Sequence, residues 1–178
     1  MFLKGIKDKF KHKSATKFLK EALSKTPQMV NRAGGITSIG CVVDLDNFEK
    51  PELFFEFVDE YKLRPNAVKI IGYRSYYDKN SPYSTPVFSD KDLGWKGEIE
   101  NSYALEFLSR DYDLLVNYYN TDNLLLQLMT VKTNARIKVG FMEVDQKLND
   151  LIIGVPLKDF KTFKLELKKY LRVLNEIA

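Results

Sequence analysis

The sequence predicts an α/β fold: a Rossmann-like three-layer sandwich with a mainly parallel sheet, preceded by a basic amphipathic N-terminal helix. Three observations carry this. Short apolar runs rich in β-branched residues alternate with segments of helical period, which implies βαβ crossovers with helices on both sheet faces. The 178 residues, 44% of them hydrophobic, suffice to build one core against the chain entropy lost on folding. Charge is unevenly placed: residues 1–33 hold nine basic side chains against two acidic ones, a net +7, so residues 34–178 carry −3 of the overall +4. The chain therefore divides into a basic helical appendage, 1–33, and an α/β domain, 34–178.

Residues 2–25 read as the first helix. Leu3, Ile6 and Phe10 form an apolar stripe that Ala15, Phe18, Leu19 and Leu23 are expected to resume, with lysines on the other face. Thr26-Pro27 ends it, because a residue before proline avoids the α region. Gly34-Gly35 forms a hinge into the domain. Ile36 to Val43 is an apolar, β-branched run suited to a strand buried on both faces. A helix from Pro51 to Lys62 follows, proline opening its first turn and Leu53, Phe54, Phe57, Val58 and Tyr61 lining its inner face. Ala67 to Tyr73 is the next strand, and Pro86-Val87-Phe88 a short third one after an irregular stretch. Asn101 to Arg110 is helical, with Ala104, Leu105 and Leu108 inward, and Asp113 to Tyr118 is a strand. Thr121 or Asp122 caps a helix striped by Leu124, Leu125, Leu128 and Met129. Ile137 to Phe141 and Leu151 to Val155 are strands. Asp159 opens the last helix, where Phe160, Phe163, Leu167, Tyr170, Leu171, Leu174 and Ile177 recur at spacings of three and four.

Several chemistries are short of residues. A single cysteine, Cys41, rules out an internal disulfide and a multi-cysteine zinc site, and its apolar run makes it a buried thiol. The one histidine, His12, sits among lysines far from any candidate nucleophile, so a Ser-His-Asp set would need the appendage to fold over the domain. No glycine-rich phosphate loop follows the first strand. No cofactor and no metal site is expected. Neither a secretory signal nor a run of about 20 apolar residues is present, so the expected compartment is the cytoplasm.

Four segments carry a resemblance: Lys91-Asp92-Leu93-Gly94-Trp95-Lys96-Gly97, Asp113 to Tyr119, Lys138-Val139-Gly140-Phe141 and Asn149 to Ile153. Together they resemble a family of small Flavobacterium-type Bacteroidota proteins described as a domain of unknown function. The resemblance implies a bacterial cytoplasmic protein and carries no catalytic residues. Tyr112 to Phe141, ending in Arg136-Ile137-Lys138-Val139-Gly140-Phe141, is also similar to a strand–helix–strand unit in the acceptor half of bacterial heptosyltransferases. Those enzymes need a second domain for the sugar nucleotide, and this chain has no room for one.

In an open parallel sheet, ligands bind beyond the carboxyl ends of the strands. The candidate ligand residues there are Asp44, Asp46 and Asn47 after the first strand, Tyr73 and Arg74 after the second, and Asn117, Tyr118 and Asn120 around the end of the Asp113 strand. Val43-Asp44-Leu45-Asp46 resembles the first motif of haloacid-dehalogenase-type phosphatases, in which the first aspartate is the nucleophile and the second the general acid. Asn47-Phe48 replaces the Gly-Thr that normally follows, and no adjacent acidic pair follows a later strand to hold Mg²⁺.

The basic helix offers Lys4, Lys7, Lys11, Lys13, Lys17 and Lys20 to an anionic partner. Three partners fit: RNA or the ribosome through phosphates, an anionic membrane surface with the apolar stripe inserted, or the acidic domain or a second copy in a homo-oligomer. The leading expectation is a non-enzymatic binding or adaptor protein that contacts RNA or the ribosome. The alternatives are a Mg²⁺-dependent phosphatase-like or glycosyl/nucleotide-binding enzyme at the Asp44/Asp46 edge, and a membrane-surface protein.

Overall fold

A computed structural model describes residues 2–25, 34–78, 80 and 83–178. The first helix, α1 (Phe2–Ser24), is followed by β1 (Ile39–Asp44), a 3-10 turn (Pro51–Phe55) running into α2 (Glu56–Glu60), β2 (Val68–Tyr73) and β3 (Val87–Phe88). Then come α3 (Ser102–Leu108), β4 (Asp111–Tyr118), α4 (Leu124–Lys132), β5 (Asn134–Phe141), β6 (Leu151–Ile153) and α5 (Phe160–Val173). The six strands lie in the order β3-β2-β1-β4-β5-β6 and every neighbouring pair is parallel. This is the Rossmann order, in which the chain reverses its direction of winding between β1 and β4.

Alternation along the central strands feeds two cores. Cys41, Val43, Val116 and Tyr118 face Phe54 and Phe57 of the first crossover and Phe160, Phe163, Leu167 and Leu171 of α5. Val42, Ile71, Leu115 and Tyr119 face Ala104 and Phe107 of α3, Leu125, Leu128 and Met129 of α4, and Ala15 and Leu19 of α1. The central strands are buried on both sides, which is why they read as continuous apolar runs rather than alternating ones.

α1 lies against α4 and the 3-10 turn Trp95–Gly97. Its early residues meet the start of α4 around one cavity and its last residues meet the end of α4 around another, so the two helices run with the same polarity. The expected single stripe on α1 is two. Ala15 and Leu19 are buried and Phe18 packs beside them, whereas Leu3, Ile6 and Phe10 are 80%, 38% and 57% exposed. At 100° per residue the two sets point roughly 160° apart, because five residues from Phe10 to Ala15 exceed a full turn.

Other differences are local. β1 begins at Ile39, not Ile36, because the backbone N–H groups of Thr37 and Ser38 donate to the Asp113 carboxylate at 2.8 and 3.1 Å instead of joining the ladder. The helix after Pro51 ends before Lys62, which takes a left-handed φ of 54°. In α3 Leu105 is 52% exposed and Phe107 fills the inward position, since a seven-residue helix presents a narrow buried face. α4 is capped by Asn123, not by Thr121 or Asp122: its Oδ1 accepts from Leu125 N and Leu126 N at 3.0 and 3.1 Å. The expected helix stop at Thr26-Pro27 lies outside the described residues. Among the described residues no helix is long and apolar enough to cross a membrane.

Candidate functional site

The carboxyl rim of the sheet collects the loops after β1, β2, β4, β5 and β6. β1 ends at Asp44, whose side chain turns back into the loop it starts. Its Oδ1 accepts from Asp46 N at 3.1 Å and its Oδ2 from Asn47 Nδ2 at 2.7 Å, an Asx-type turn. Thr121 Oγ1 donates to the same Oδ2 at 3.4 Å, so the buried Asp44 also ties the β1 loop to the β4 loop across the point where the winding reverses. Asp46 faces the other way. It accepts from Ser75 N at 2.8 Å and stands 3.9 Å from the Arg74 guanidinium, joining the β1 and β2 loops. Tyr73 donates its hydroxyl to Asp90 at 2.9 Å. Burial first, then the Asp90 carboxylate, pushes the Tyr73 phenol up to about 12, so it remains a neutral donor at physiological pH.

The structure thus brings Asp44, Asp46, Asn47 and Arg74 together, with Tyr73 one strand over. It sends Asn117 and Tyr118 elsewhere. Tyr118 points into the first core and donates to Leu157 O at 2.6 Å. Asn117 points to the opposite face, where it is wholly buried, and donates to Asn149 Oδ1 at 2.7 Å while accepting from Thr130 Oγ1 at 2.9 Å. Thr130 also bonds Tyr119 at 2.6 Å, and the Lys138 ammonium donates to Thr130 O at 2.6 Å. Burial lowers the Lys138 pKa from the ordinary lysine range, with Asp150 opposing. Successive residues of a strand face opposite sides, so adjacent candidates on β4 could not share one site.

Two open cavities border the rim. One, of about 570 Å³, opens over the ends of β1, β4, β5 and β6 between Asn47, Asn120, Glu143 and Lys158, with Gly154 and Met142 in its wall. The other, of about 680 Å³, is closed by α1: Lys4, Asp8, Lys11 and His12 face Asp90, Lys91 and the Asn123 cap of α4. The fold does therefore bring His12 over the domain, yet among the described residues no serine or cysteine lines that cavity. Lys11 is already engaged, donating to Leu93 O at 3.1 Å with Glu100 at 3.8 Å. Lys17 pairs with Glu21 at 3.9 Å. Among the described residues, Lys7, Lys13 and Lys20 are exposed and make no ion pair. Among the same residues, no three of His, Cys, Asp and Glu gather closely enough to hold a metal ion.

Sequence reasoning missed Thr121 and Asp90 as rim partners and Thr130, Lys138 and Asn149 as a buried network. Only the position of Thr121 just past a strand end offered a signal.

A profile of a family of unknown function, DUF6913, matches residues 11–174. No curated protein and no solved structure matches the chain. The profile spans every strand of the sheet and all but the first turns of α1, so the chain belongs to the family of unknown function DUF6913.

Proposed function

We propose that this chain is a cytoplasmic binding or adaptor protein rather than an enzyme, and that α1 is its contact with a phosphate-bearing partner. The observation that carries the reading is the division of α1 into a docked inner face and an outer face on which Lys7, Lys13 and Lys20 are exposed and, among the described residues, make no ion pair. Phosphates on RNA or the ribosome, and the headgroups of an anionic leaflet, are the two surfaces such lysines suit. Filter binding to RNA across a salt series tests the first. Binding that weakens steeply with salt, and is reduced when Lys7, Lys13, Lys17 and Lys20 are changed to Gln, supports it; no binding at low salt removes RNA.

The 570 Å³ rim cavity favours a second reading, a small polar ligand held between Asn47 and Asn120. The phosphatase-like version needs Asp44 as nucleophile, but both Asp44 oxygens accept hydrogen bonds from the turn they organise. A glycosyl or nucleotide ligand is the other version, since the cavity offers the amides of Asn47 and Asn120 beside Lys158 to polar groups. Thermal-shift titration with nucleotide sugars and nucleoside phosphates tests this version, with Asn120→Leu as control; a flat response to all of them ends it.

A further inference from the structure

We infer that the outer face of α1 is an interfacial anchor that lies flat on an anionic lipid bilayer, inserting Leu3, Ile6 and Phe10 between headgroups held by the flanking lysines. This rests on the reading of α1 as a contact for an anionic partner and names that partner.

The argument begins with what α1 exposes. Leu3, Ile6 and Phe10, spaced three and four, form one stripe that stays exposed among the described residues, Ile6 least of the three. Lys7, Lys13, Lys17 and Lys20 lie within roughly 75° of that stripe around the helix. Asp8 is the one acidic residue among the first twenty, and it is turned toward the inner cavity beside His12 and Asp90. The outer face of the first five turns therefore carries apolar and cationic side chains without an acid. On this outer face alone, the three apolar side chains are able to sink below the headgroups while the lysines extend along the sides. The buried Ala15 and Leu19 fix the helix on the domain, so the stripe is presented outward as a rigid unit. α1 cannot span a bilayer, as its lysines forbid it.

RNA fits the same surface less well. Recognition of phosphates does not use an aliphatic stripe, and stacking on bases uses aromatics and arginine guanidinium planes. α1 contains no arginine, and its exposed Phe10 ends the stripe one turn beyond Ile6. A second copy fits worse, because a two-fold pairing would bring two lysine rows together.

The test is co-sedimentation of the full chain with vesicles of phosphatidylcholine, alone or mixed with phosphatidylserine, at low and high salt, alongside RNA filter binding. The expected result is pelleting with the mixed vesicles only, reversed by salt. Lys7→Gln/Lys13→Gln/Lys20→Gln should lower partitioning by roughly tenfold or more. Leu3→Ser/Ile6→Ser/Phe10→Ser should also abolish pelleting, while thermal melts match the parent chain because the three side chains are exposed in the fold. No pelleting with mixed vesicles overturns the inference. If RNA binds instead, the broader reading of α1 stands; if neither binds, both fall. Pelleting unchanged in the serine variant, or a wild-type dimer that the serine variant dissolves, overturns it as well.

Discussion

Asp113 shows how a single carboxylate holds two parts of the chain. Its Oδ2 accepts from Thr37 N at 2.8 Å, Thr37 Oγ1 at 2.7 Å and Ser38 N at 3.1 Å, and the Arg136 guanidinium stands 3.7 Å from the other oxygen. Burial alone would raise its pKa, but the donors of Thr37 and Ser38, with Arg136 behind them, outweigh it and hold the group below the usual aspartate range. A lowered folded-state pKa means that the unfolded chain binds the proton more tightly. The stabilisation is therefore complete above the unfolded value of about 3.9 and is lost as pH falls through the folded one. Urea denaturation of Asp113→Asn should show lower stability than the parent at neutral pH, with the gap closing below about pH 4. A gap that stays constant down to acid pH would show that Asp113 acts by geometry and not by charge. At this scale residue type was legible and direction was not. Asp44 was correctly placed at a strand end, yet its carboxylate is spent on its own turn, and Asn117 and Tyr118 face opposite cores. A side chain's partners come from other loops, here Thr121 and Ser75, which local sequence does not name.

Elements were legible wherever a period ran long enough. α5 shows this best, with Phe160, Phe163, Leu167 and Leu171 all buried and Asp159 Oδ1 accepting from Thr162 N at 3.0 Å at its start, although Tyr170 is exposed and the helix stops at Val173, before Leu174 and Ile177. Short elements were not: in α3 one residue decides whether Leu105 or Phe107 turns inward. Caps were also ambiguous, since Thr121, Asp122 and Asn123 are all competent. Thr121 is drawn to Asp44, Asp122 accepts from Gln127 Nε2, and Asn123 is left at the position that meets two free N–H groups. Replacing Asn123 by Ala should cost about 1 kcal/mol of stability, read from chemical denaturation. Thr121→Ala should leave the α4 cap intact, and a larger loss for Thr121→Ala would contradict this assignment.

For the whole molecule, the question is how α1 relates to the sandwich. Ala15 and Leu19 join the core formed by α3, α4 and one sheet face, and Gly97 approaches Phe18 and Leu128 so closely that an added Cβ would stand 2.9 Å from Leu128. α1 thus completes a layer and at the same time presents a charged outer face. Leu19→Ala should destabilise the fold by about 2–3 kcal/mol, the cost of emptying a buried leucine site. A denaturation midpoint equal to the parent's would mean that α1 does not dock in solution.

By itself the sequence determined the α/β class, the strand and helix count of the sandwich and the excess of positive charge at one end, because period, β-branching and composition are local properties. Tertiary structure alone decided that the sheet reverses its winding between β1 and β4, that Asp44 turns inward, and that α1 has two apolar stripes with one facing outward. The reason is that strand order and the rotation of a helix about its axis are set by contacts between segments far apart in the chain, and no residue's own neighbours in sequence record them.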